Sequence, residues 1–102
     1  MKKLTSIQAK YLRGLAHSLK PVIFVGQKGL SQTLIQSADE AFRRHELIKV
    51  KFIDYKEKAQ KKEIAAAIES QTDCRMAGMI GHIAIFYRPH SEPEKQKIVL
   101  PE

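Results

Sequence analysis

Residues 21–35 read PVIFVGQKGLSQTLI. A short β-branched apolar run from Pro21 to Val25 meets Gly26, and a second glycine three positions on encloses Gln27 and Lys28. Beyond Gly29 the apolar positions Leu30, Leu34, Ile35, Ala38, Ala41 and Phe42 recur at helical intervals, with Ser31 placed to cap them. A strand, a glycine turn and a helix therefore follow one another directly. ELIKVKFI, residues 46–53, supplies the next strand, because Ile48, Val50 and Phe52 alternate with Lys49 and Lys51. The run at 21–26 is expected to be a buried strand. The two lysines are expected on the sheet face opposite the packed one.

The flanking segments extend this unit. Leu4, Ile7, Tyr11, Leu12 and Leu15 form one stripe of a first helix, capped by Thr5 or Ser6 and stopped near Ser18 by Pro21. Lys10, Arg13 and His17 lie on its other side, a basic ridge that a solvated helix face would equally produce. Arg43, Arg44 and His45 close the second helix, where positive charge suits the dipole. DYKEKAQKKEIAAAIESQT, residues 54–72, predicts a third helix. Its packed side would carry Ile64, Ala67, Ile68 and Gln71, with Lys58, Lys61 and Lys62 in solvent and Glu57 paired to Lys61. CRMAGMIGHIAIFYRP, residues 74–89, predicts two strands about a type II′ turn at Gly81-His82. HSEPEKQ at 90–96 then reads as a mobile link, and KIVLP at 97–101 as a last short strand.

The expected order is thus α-β-α-β-α-β-β. This is an α/β fold with a small mixed four-stranded sheet packed with three helices, a domain over residues 1–89 and a polar tail over 90–102. A chain of 102 residues suits one domain with a modest core. No apolar run approaches the roughly 18 residues of a membrane span. Gln8, Lys10 and Arg13 interrupt any signal-peptide core after Met1-Lys2-Lys3. Cys74 is alone, so neither an internal disulfide nor a cysteine zinc cluster is expected. A cytoplasmic setting follows, with no membrane partner.

Charge says more about partners. The net charge is +7, and residues 1–38 hold six lysines and arginines with no acidic residue. Nearly all the excess therefore sits in the segment that carries the glycine pair, a distribution that favours a polyanion. Backbone N–H groups at a glycine turn before a helix can hold phosphate, with Lys28 adding charge. The motif by itself is also the turn that any strand-to-helix step needs. Lys49, Lys51 and Arg88 are further basic candidates. Tyr11, Phe86 and Tyr87 could stack on bases or fill the core. Catalysis finds no constellation: His17, His45, His82 and His90 are scattered, and Cys74 lacks an activating partner. No catalytic residue, metal or cofactor is expected.

LRGLAHSLKPVIFVGQKGLS (12–31), HELIKVKF (45–52) and IGHIAIFYRP (80–89) together resemble the bacterial single-domain YhbY-type members of the CRM (chloroplast RNA splicing and ribosome maturation) domain family. The resemblance implies a fold similar to the C-terminal domain of translation initiation factor three, and a non-catalytic RNA-binding role. It further implies association with ribosomal RNA or precursors of the large ribosomal subunit during assembly. The family's GxxG loop falls on Gly26, Gln27, Lys28 and Gly29, and its neighbouring basic residues on Arg13, His17 and Lys20. Asp73 stands where the family commonly has glycine after the third helix. The expected free state is a monomer. The competing reading is a protein adaptor whose basic surface meets an acidic partner; a steep salt dependence would favour RNA.

Overall fold

In a computed structural model that describes residues 2–54 and 57–102, the elements follow the expected order. They are α1 (Ser6–Ala16), β1 (Ile23–Val25), α2 (Gln32–Arg44), β2 (Leu47–Phe52), α3 (Lys58–Thr72), β3 (Arg75–Ile80) and β4 (Ile83–Tyr87). The strands form one mixed sheet in the order β1-β2-β4-β3, with β1 parallel to β2 and the other pairs antiparallel. Gly81 has φ +61 while His82 is not left-handed, as a II′ hairpin turn requires.

Helices pack on both faces of the sheet. On one side α2 and α3 meet Ile23, Val25, Ile48, Val50, Phe52, Ala84 and Phe86 in the larger core. On the other, α1 packs through Leu12 and Ala16 onto Leu47, Ala77, Ile85 and Tyr87. Phe86 and Tyr87 are core aromatics, 0% and 4% exposed, which removes them as stacking groups.

Helix α1 is capped by Thr5, whose hydroxyl accepts from Gln8 N while Gln8 Oε1 accepts from Thr5 N, a capping box. Its orientation corrects the expected stripe. Leu12 and Ala16 are buried, whereas Ile7, Tyr11 and Leu15 face solvent. Arg13 turns inward rather than joining an exposed ridge: Nη1 donates to the Ala77 carbonyl at 2.8 Å. Its side chain fills the space over Gly78, where a Cβ would come within 2.6 Å of Arg13 Cδ.

Strand β1 is an edge strand, not a buried one: Ile23 and Val25 point into the core while Phe24 points out, 54% exposed. Helix α3 is also turned from its expected phase, burying Lys61, Ile64, Ala65, Ile68 and Thr72. Lys61, expected in solvent, stretches its aliphatic stem through the interface. Its ammonium donates to the Gly81 carbonyl at 2.9 Å. Tyr55 and Lys56, which the sequence assigns to this helix, lie outside the described residues. Asp73 ends α3 in the left-handed region at φ 51, the conformation that glycine would adopt there without cost.

The tail is neither a free link nor a strand. Pro93–Lys95 form a single 3₁₀ turn, and the residues that follow have no strand pairing. Ile98 and Leu100 pack beside α1. The buried carboxylate of Glu46 accepts from His90 N (2.9 Å), Lys97 N (2.7 Å) and Ile98 N (3.0 Å), strapping the tail to the start of β2.

Candidate nucleic-acid interface

The turn at 26–29 closes on itself: the Gly29 N–H donates to the Gly26 carbonyl at 3.0 Å, so that group is already satisfied. Gly29 sits at φ +61 and needs to be glycine. Gly26 does not need to be, since a Cβ there would meet only Asp54 Oδ2 at an ordinary 3.7 Å. A bond from Ile53 N to the Val25 carbonyl, 2.8 Å, fixes the base of the turn to the end of β2. Lys28 stands exposed in the turn.

Helix α2 begins at Gln32, directly after the cap that the sequence offered at Ser31. Leu30 and Ser31 intervene, and Ser31 Oγ accepts from Leu34 N at 3.1 Å, using one of the helix's free donors for its own cap. Between the turn, β1 and the first turns of α2 lies an open depression of about 630 Å³. Its lining sets one cation, Lys28, against one carboxylate, Asp54. The hollow is therefore no focused anion pocket; the positive surface is the exposed turn itself.

The remaining predicted residues do not all gather here. Lys51 does: it is exposed, and its backbone stands beside Phe24 in the parallel register, two residues before the turn. His17 and Lys20 are exposed at the opposite end of β1, before the strand begins. Lys49 is half-buried and caps the chain leaving α1, with Nζ donating to the carbonyls of Leu19 (2.9 Å) and His17 (3.4 Å). Arg13 is held on β3, at the far edge of the sheet from β1. Arg88 lies on the α2 and α3 side, bonded to Asp39 and to the Thr72 carbonyl. Structural bonds thus engage Arg13, Lys49 and Arg88, while Lys28, Lys51 and Lys20 present their charge to solvent and His17 is exposed.

Phe24 is the residue beside this turn that sequence reasoning missed. Its signal was available: Pro21 and a run of three strand residues suit an edge strand, and an edge strand with one packed face exposes every second side chain. Of the aromatic candidates, Tyr11 alone remains accessible, at 42% exposure.

Other reactive groups are quiet. Cys74 is buried and its thiol is pushed up to about 11 by burial, far from the reactive range. Among the described residues, no three His, Cys, Asp or Glu side chains come together to hold a metal ion. No helix among them is long and apolar enough to cross a membrane.

A family model described as the CRS1/YhbY (CRM) domain matches residues 4–88. An "RNA-binding protein" of Haemophilus influenzae is 39% identical over 101 residues, covering 99% of this chain and 98% of that protein. A "Probable RNA-binding protein" of Pseudomonas aeruginosa is 32% identical over 92 residues, covering 90% and 88%. The solution structure of a hypothetical protein from Staphylococcus aureus superposes with a TM-score of 0.80 at 32% identity, covering 96% of this chain and 99% of that one.

Proposed function

The chain belongs to the CRS1/YhbY (CRM) domain family, and we propose that it is a non-catalytic RNA-binding protein of the cytoplasm. It associates with ribosomal RNA or precursors of the large ribosomal subunit and assists their assembly. The Gly26–Gly29 turn holds phosphate backbone. Lys28 and Lys51 supply charge beside it, and His17 and Lys20 extend the positive surface to the other end of β1. The observation that carries this reading is the placement of Lys28 in an exposed glycine turn, within an N-terminal segment of six cations and no acid. Backbone contacts of this kind position a protein and do not read bases.

An adaptor role has one observation in its favour. Ile7, Tyr11 and Leu15 leave an apolar strip on the outer side of α1, 63%, 42% and 39% exposed. A partner docked there would bind with little salt dependence, whereas RNA affinity falls with a log–log slope of about −0.7 per neutralised phosphate on single strands.

The test is ultraviolet crosslinking in growing cells, followed by sequencing of the joined RNA. Lys28→Ala and Gly29→Asp variants, checked for folding, run alongside; the first is needed because Gly29→Asp also strains the backbone. Sharp crosslinks in large-subunit ribosomal RNA that fade in Lys28→Ala support the reading. Crosslinks spread evenly over cellular RNA and unchanged in both variants overturn the ribosomal assignment and the loop together.

A further inference from the structure

One line of side chains crosses the sheet beyond the reach of α1, with Phe24, Lys51 and Ile80 exposed and Ile83 half-buried. The parallel register sets Phe24 beside Lys51, and the antiparallel registers continue the line to Ile83 and Ile80. Alternation puts all four on the α1 face, because their chain neighbours Ile23, Val25, Val50, Phe52 and Ala84 belong to the opposite core and Met79 packs against it. Helix α1 stops one line short. Its Arg13 lies over Gly78, and the chain leaving it binds Lys49; these two flank Ile85 in the preceding line. Phe24 and Ile80 are left 54% and 64% exposed, and Ile53, which continues the alternation of β2 past Lys51, is 57% exposed.

An exposed phenylalanine in a three-residue edge strand contributes nothing to either core. Beside it stand a lysine on the next strand and, two residues on, the glycine turn that carries Lys28. We propose that this line is a platform for an unpaired nucleotide of RNA. Its base packs against Phe24, its flanking phosphates lie against Lys51 and Lys28, and Ile53, Ile83 and Ile80 continue the apolar floor. Charge complementarity with the two lysines selects a polyanion. The aromatic selects single-stranded RNA over duplex, since only an unstacked base offers its face to a side chain. The inference rests on the RNA-binding reading and adds to it the strandedness of the RNA.

The test compares a fluorescein-labelled 12-nucleotide oligouridine with a 12-base-pair RNA duplex, using the full chain at several salt concentrations. Phe24→Ala is expected to weaken oligouridine binding by roughly tenfold, the scale of one base–aromatic stack, with its salt slope unchanged. Phe24→Tyr should restore binding to within about twofold of the parent, because the ring is kept. Lys51→Ala should lower the slope by about 0.7. Phe24 is exposed, so the variants should melt like the parent. If the parent binds oligouridine and Phe24→Ala binds it equally well, the platform is wrong and RNA binding stands. Duplex preferred over oligouridine by the parent would likewise overturn the platform alone. If the parent binds neither RNA, the RNA-binding reading falls and takes the platform with it.

Discussion

Arg88 donates from Nη1 to Asp39 at 2.8 Å, while its guanidinium lies 4.9 Å from the centroid of the Phe42 ring. The same nitrogen reaches the carbonyl of Thr72, so one side chain ties the end of β4 to α2 and to the end of α3. The bond to Arg88 is the main cause that holds the Asp39 carboxyl below its usual range, opposed by partial burial. Arg88→Ala should therefore lower the unfolding free energy by about 2 kcal/mol, read from urea melts. RNA affinity should change less than twofold in buffer where the variant remains folded. A large affinity loss without a stability loss would return Arg88 to the binding surface.

Lys28 and Lys49 carry the same charge and should behave oppositely. Lys28→Ala should leave the melting temperature unchanged, weaken RNA similarly across sequences, and reduce the salt slope by about 0.7. Lys49→Ala removes the donor to the Leu19 carbonyl, and should destabilise by about 1 kcal/mol with little change in slope. Salt titrations of both variants, set beside their thermal melts, separate the two roles.

Glu46 makes the tail sensitive to acid. Burial raises its carboxyl, but the bonds from the His90, Ile98 and Lys97 amides outweigh burial and leave it below its ordinary 4.5. A carboxylate depressed in the fold stabilises fully above its unfolded value, and loses that contribution as pH falls through the folded one. The protection factors of the Lys97 and Ile98 amides, taken relative to intrinsic exchange at each pH, should be high at neutral pH and should fall as the pH drops below 4.5. Lys97 N and Ile98 N share Oε1 and His90 N takes Oε2, so Glu46→Ala, which removes both acceptors, should expose these amides at neutral pH and weaken the strap by about 1–2 kcal/mol. Protection that persists in Glu46→Ala would mean that Ile98 and Leu100 hold the tail by packing alone.

Cys74 is buried, accepting from Thr72 Oγ1 and donating to the Ile68 carbonyl. With its thiol pushed up to about 11, labelling by a thiol reagent at pH 8 should be far slower in the native protein than in urea. Labelling rates measured across a urea series should track the unfolded fraction. Fast labelling of the native state would place the thiol at the surface.

The left-handed exit of α3 separates residues by shape. At φ 51 a β-branched side chain is strongly disfavoured and glycine is not. Asp73→Val should be less stable than Asp73→Gly by at least about 1 kcal/mol in parallel urea melts.

The element order and the β3–β4 hairpin were legible because turn residues and apolar spacing act locally. The tilt of each helix about its axis was not. Helix α1 carries two apolar stripes, Ile7-Tyr11-Leu15 and Ala9-Leu12-Ala16, and the second wins through tertiary partners: Ala77 receiving Arg13, and Ile98 and Leu100 arriving from the far end of the chain. Lys61 was misplaced for the same reason, since the carbonyl it reaches belongs to a residue 20 positions away. At the candidate interface, Lys28 and the glycine turn could be found from spacing. Phe24 required knowing that β1 lies at the sheet's edge, which depends on strand order.

The interior place of β2 has a consequence for how the protein is made. Its two edges are filled from opposite directions of the chain, by β1 before it and by β4 after it. During synthesis, the edge of Leu47–Phe52 that will receive β4 stays unpaired until Tyr87 has left the ribosome. The hairpin of β3 and β4 is a local pairing that can form quickly, whereas its docking onto β2 closes a longer loop. The interval between those two steps is when a nascent strand edge is open to the wrong partner, and it is where a substitution that slows hairpin formation would cost yield without altering the finished fold.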